Sequence, residues 1–150
     1  MRELSSRERV ARMKSSFVEP SKYGLAAAGV SGAMGVGFGA FAAHGLSQLG
    51  NPQIVDWIKT GASYQLWHAV ALLGLVGMAH RLPSRWVMRL INCFFWGPLI
   101  FAGSLYALAL LQWHWLGAVT PIGGVLMILG WVMLGILGWR QTGLSGEGGR

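Results

Sequence analysis

This sequence predicts an all-α integral membrane protein, a four-transmembrane-helix bundle with both termini inside, and three observations carry that prediction. Four long apolar stretches run roughly over 23–46, 60–80, 86–112 and 116–139. Each is about the 20 residues or more that a helix rising 1.5 Å per residue needs to cross a hydrocarbon core about 30 Å thick. Hydrophobic residues make up 53% of the chain and charged ones only 11%, whereas soluble domains are about a quarter charged. The third observation is where the positive charge sits. Arg2, Arg7, Arg9, Arg12, Lys14 and Lys22 precede the first stretch, Arg81, Arg85 and Arg89 surround the second connection, and Arg140 and Arg150 follow the last. Only Lys59 falls in the first connection, and the third has neither Lys nor Arg. The positive-inside rule then places both termini in the cytoplasm of a multi-pass protein of the bacterial inner membrane. The same distribution accounts for the net charge of +7 through anionic headgroups, so the expected partners include membrane lipids and no nucleic acid.

Residues 1–22 read as a basic cytoplasmic leader, either disordered or a short interfacial helix. Ser5 and Glu8 fit a capping box, and Val10, Met13 and Phe17 share one helical face. Glu19-Pro20-Ser21 is expected to break the chain ahead of the transmembrane domain, 23–140, and 141–150 reads as a flexible cytoplasmic tail. The first apolar stretch is too long for the hydrophobic region of a cleaved signal, so it is expected to be retained.

That stretch is rich in small residues. Ala28, Gly32, Gly35, Gly39 and Ala42 recur at spacings of 4, 3, 4 and 3, and Gly29, Ala33 and Gly37 form a second small face. In lipid, helices associate largely through close backbone approach, which small residues permit. Helix one is therefore expected at the centre of the bundle, or at a face given to a partner. Asn51-Pro52 marks the first connection and Asp56-Trp57 its far end. Pro98 in the third stretch frees the carbonyl of Phe94 and predicts a kink. Thr120-Pro121 predicts the regular start of the fourth helix, and Gly123 and Gly130, one heptad apart, its packing seam. Trp57, Trp86, Trp113, Trp115 and Trp139 fall near predicted ends, where indoles favour the headgroup level. Trp67, Trp96 and Trp131 lie deeper and are expected to be packing residues.

Polar groups are costly in hydrocarbon, so their positions are the clue to function. His44, Tyr64, Gln65, His68, Ser104, Tyr106 and Thr120 are expected to gather at one level in the outer half, with His114 in the outer connection and Asn92 alone in the inner half. Three readings of this cluster follow: an interhelical hydrogen-bond network, a pocket for a lipid or quinone-like ligand, or haem or metal ligation by His44 and His68 at similar depth. No catalytic set is expected, because no Asp or Glu lies within the four stretches and Gly103-Ser104-Leu105 is no nucleophile elbow. No cofactor is expected in the first of these readings. The single cysteine, Cys93, allows no intramolecular disulfide and no thiol cluster.

Four motifs in order carry a family resemblance: Gly39-Ala40-Phe41-Ala42-Ala43-His44-Gly45-Leu46, Tyr64-Gln65-Leu66-Trp67-His68-Ala69, Phe101-Ala102-Gly103-Ser104-Leu105-Tyr106 and Thr120-Pro121-Ile122-Gly123-Gly124. Together they resemble the YgdD-type inner-membrane proteins, a family of unknown function with a mitochondrial-type transmembrane relative. The chain departs at Ala42, where that pattern favours Gly, and at Ala102, where Ser is usual. The resemblance implies four helices in an inner membrane and no particular reaction. The role expected from residues and resemblance together is non-enzymatic: an accessory or assembly subunit of a larger inner-membrane complex, a respiratory one being the specific form considered. The alternative is a binder of a ligand, lipid, quinone, haem or metal, using the His/Tyr cluster.

Overall fold

Residues 6–46 and 51–144 are described by a computed structural model, with side chains placed over 21–46 and 51–140. Ser5 of the capping box, the side chains of Val10, Met13 and Phe17, and the tail beyond Leu144 lie outside the described residues. Helix α1 spans Ser6–Ala40 and ends in a π-helical turn, Phe41–Gly45. Helix α2 spans Pro52–Met78 and tightens into a 3-10 turn, Ala79–Arg81. Helix α3 spans Ser84–Leu111, and a 3-10 turn at His114–Ala118 leads into α4, Thr120–Leu144. Four segments within these, Ser21–Gly45, Pro52–Arg81, Ser84–Leu111 and His114–Arg140, are long and apolar enough to cross a membrane.

Two boundaries differ from the sequence expectation. Helix α1 does not stop at Glu19-Pro20-Ser21 but runs through it, because a proline removes one amide donor and a long helix can absorb that single loss. Helix α2 starts at Pro52, well before residue 60. Asn51 takes an extended conformation, and its Oδ1 accepts the Gln53 N–H at 3.2 Å, while Pro52 supplies a preset φ at the first helical position. Helix α3 continues through the buried Pro98 and is closed by Gln112. That residue is left-handed (φ 57°), and its side-chain amide donates to the carbonyls of Ala109 (2.8 Å) and Leu108 (3.4 Å).

The helices pack antiparallel in chain order, and α1 also leans on α3. The centre is α3, with α2 beside it, and not α1 as expected. Half of the most apolar stretch of α3 is buried, against 28% for α1 and 22% for α4. The reason lies in which small face is used. Ala28 and Ala42 are buried, and Gly32, Gly35 and Gly39 turn toward α2. A Cβ at Gly35 would come 2.8 Å from Leu66 Cγ and 3.1 Å from the Ala62 carbonyl oxygen. Gly29, Ala33 and Gly37 point away from the bundle.

The closest approach joins α3 to α4. A Cβ at Gly123 would strike the Phe101 amide nitrogen and lie 2.6 Å from the Gly97 carbonyl oxygen. One at Gly97 would lie 2.8 Å from Met127 Cγ, and one at Gly130 2.6 Å from the Phe94 ring. At Gly123 the contact is backbone on backbone and only glycine permits it, whereas at Gly130 it is the Phe94 and Cys93 side chains that fill the space. Trp67, Trp96 and Trp131 each pack on a neighbouring ring, Tyr64, Phe95 and Phe94 respectively, while remaining 60, 48 and 48% exposed. A wide indole fits along the rim of seams built on missing side chains, with its outer face left to the hydrocarbon.

Gly123→Ala should therefore push α4 off α3, lowering stability by about 2 kcal/mol. Gly124→Ala, where an added Cβ meets nothing within 4 Å, should be neutral. Thermal or denaturant unfolding in detergent, followed by helicity, checks the contrast.

Candidate functional site

Apart from Ser31, the buried polar side chains among the described residues fall into three small groups. In the first, the Tyr106 hydroxyl on α3 donates to Gln65 Oε1 on α2 at 2.6 Å, and Gln65 Nε2 reaches Met34 Sδ on α1 at 3.8 Å. Gln65 is fully buried, and the Tyr106 ring stacks on Phe38 of α1 with centroids 3.8 Å apart. One amide thus ties three helices. In the second group, Trp131 Nε1–H on α4 donates to His68 Nε2 on α2 at 3.2 Å. Since Nε2 accepts, Nδ1 carries the proton and donates to the Tyr64 carbonyl oxygen at 2.8 Å. The imidazole is neutral in this arrangement, with both ring nitrogens engaged, and its edge lies against Phe94. In the third group, Ser104 donates to the Phe101 carbonyl oxygen at 2.8 Å and accepts from the Thr120 hydroxyl at 2.8 Å, joining α3 to α4. Thr120 turns back toward Leu116.

The expectation of one shared level does not hold. Tyr106 and Ser104 sit at similar depth but on opposite sides of α3, and His68 lies deeper, near the middle of the interval from Lys59 to Arg81. His44 belongs to none of the groups and is exposed. The α1–α2 register, with Gly39 on Ala62, Gly32 on Ala69 and Gly24 on Val76, sets His44 level with Trp57. That is about 16 Å along the axis from His68. The two histidines therefore cannot flank one haem or metal, and His68 has no free nitrogen to offer. Among the described residues no three His, Cys, Asp or Glu side chains gather. Tyr64 contributes ring contacts, to Phe101 at 4.7 Å and Trp67 at 5.1 Å. His114 is exposed.

Comparisons with known proteins agree with the resemblance. A family model described as "Protein of unknown function (DUF423)" matches residues 38–124. The chain is 37% identical over 136 residues to the "UPF0382 inner membrane protein YgdD" of Escherichia coli, covering 85% of this chain and 98% of that protein. It is 37% identical over 124 residues to a "UPF0382 membrane protein" of Haemophilus influenzae, covering 83% and 98%. A Staphylococcus saprophyticus "UPF0382 membrane protein" is 43% identical over 103 residues, covering 67% and 83%. The chain belongs to this family. No solved structure matches it.

Most residues that carry the family resemblance make interhelical contacts here. Gly39, Ala42, Gln65, His68, Ala102, Ser104, Tyr106, Thr120 and Gly123 all lie at helix–helix surfaces. Both departures are buried: Ala42 packs in the cluster around Ile58, and Ala102 meets Gly61. Sequence reasoning missed Met34, Phe38 and Trp131 as partners, because apolar residues give no sign of which polar atom they will face. It also passed over Ser31, fully buried on α1, whose hydroxyl has no hydrogen-bond partner among the described residues.

Tyr106→Phe should cost about 1 kcal/mol by stranding Gln65 Oε1, and Trp131→Phe about 0.6 kcal/mol. In a double-mutant cycle, His68→Ala and Trp131→Phe should be coupled, whereas His68→Ala and Tyr106→Phe should be nearly additive. Unfolding in detergent measures all of these.

Proposed function

We propose that this chain is a non-enzymatic helix-packing subunit, an accessory or assembly component of a larger inner-membrane complex, with both termini in the cytoplasm. The observation that carries the reading is the outward face of α1. Gly29, Ala33 and Gly37 are exposed, and a Cβ added at Gly29 or Gly37 would meet nothing within 4 Å. In lipid, such a surface permits close approach by another helix. His44, also exposed, follows on the π-helical turn that ends the same helix, a geometry frequent at functional sites. The interior supports the same reading, because Gln65, His68, Ser104, Tyr106 and Thr120 make their hydrogen bonds to one another, to Met34 and Trp131, and to the backbone. A haem or metal held by His44 and His68 is disfavoured by their separation in depth.

Gentle extraction of the tagged protein from its native membrane should recover it with one complex in fixed stoichiometry. Gly37→Leu should abolish that recovery with the unfolding midpoint unchanged, while Gly124→Leu should leave it intact. Recovery of the wild-type chain alone would overturn the proposal. For orientation, Asn51→Cys in a Cys93→Ser background should react with an impermeant maleimide in spheroplasts, and Arg85→Cys only after lysis.

A further inference from the structure

One face of α3 is polar where lipid would be expected to touch it. Arg85, Arg89, Asn92 and Trp96 follow at spacings of 4, 3 and 4, which places them on one side of the helix, and all four are exposed. That side lies between the residues of α3 that meet α1 (Ile91, Phe95) and those that meet α4 (Cys93, Gly97, Phe101). The Arg89 guanidinium lies over the Trp86 ring, 5.6 Å from its centroid, a contact that holds the charge against the helix. The Asn92 amide has no hydrogen-bond partner among the described residues. It lies about 12 Å along the axis from the start of α3, below the headgroup layer, where an unpaired amide is costly.

We propose that this face is a seat for one anionic phospholipid. Its phosphate is held by Arg85 and Arg89, an ester carbonyl accepts from the Asn92 amide, and an acyl chain runs along Trp96. The axial steps fit that order: about 6 Å from Arg85 to Arg89, about 4.5 Å on to Asn92 and about 6 Å on to Trp96. The charge fits as well. Two guanidiniums share the face, and the one acid among the described side chains, Asp56, lies in the first turns of α2 at the opposite end of the bundle. A second copy of this chain is a poorer occupant, because a symmetric pairing would bring four guanidiniums together. The inference is independent of the partner-docking role of α1.

Native mass spectrometry of the full chain in detergent, titrated with phosphatidylglycerol or with phosphatidylcholine of the same chains, tests it. The expected result is one phosphatidylglycerol retained per chain, with a preference of about fivefold over phosphatidylcholine. Asn92→Leu and Arg89→Gln should each reduce that retention about fivefold at an unchanged unfolding midpoint. Arg140→Gln, at the same end of the bundle but on α4, should leave it unaltered. Equal retention of the two lipids would overturn the proposal, as would an equal loss with Arg140→Gln, which means diffuse charge. A lipid-independent dimer abolished by Asn92→Leu would also overturn it, since a second copy would then occupy the face.

Discussion

Everything in this bundle depends on how closely backbones can approach in a solvent that gives apolar side chains no reason to leave it. Lipid tails solvate leucine as well as another leucine does, so burial of large apolar groups contributes little to helix association. What remains is dispersion between well-fitted surfaces and the few polar contacts that hydrocarbon cannot replace. The Gly97–Gly123 crossing is the tightest expression of this, with backbone atoms of α3 standing where a Cβ of α4 would be. The α1–α2 seam follows the same logic through Gly35, Gly39 and Ala62. Between them, α2 and α3 hold most of the buried large side chains, among them Phe94, Ile58, Leu72, Leu90 and Ile91.

The polar groups act on top of that packing, and their arrangement is economical. Gln65 takes its hydrogen from Tyr106 and gives one toward Met34, so one side chain spans the α1–α2–α3 triangle. His68 and Ser104 each reach α4, which otherwise rests on α3. The outermost helix therefore has two polar fastenings besides its glycine contacts. Fastenings of this kind are individually weak, about 0.6 kcal/mol on average. Their value is in register: each is lost completely if α4 slides or turns by one residue.

The number and rough extent of the membrane helices were legible in the sequence, because hydropathy and charge report the environment of a segment directly. Small-residue spacing marked the right face of α1, through Gly32, Gly35 and Gly39. It could not tell that this face serves a flank of the bundle, since small residues favour close approach and do not say how many neighbours approach. The start of α2 was missed because Asn51 and Pro52 read as a loop, when together they are a cap and a first turn. Depth was the weakest inference. Counting residues from the predicted ends placed His44 and His68 at one level, but registry between helices is set by contacts such as Gly32 on Ala69, which no single stretch contains.

Those errors bear on how polar residues in membrane chains should be weighed. Gln65, His68, Ser104 and Tyr106 looked like a site because they are polar and deep, and each has a local or interhelical partner that consumes its capacity. Burial with satisfied hydrogen bonds is what a structural role requires. The informative groups are those that pay for burial or depth without an internal partner. Ser31 is hemmed in, fully buried on the face of α1 that meets its neighbours. Asn92 is different, because its face is open and carries two cations. An amide left unpaired toward lipid is destabilised unless something outside the chain completes it, and the groups beside it say that the missing partner is an anion with carbonyls just below it.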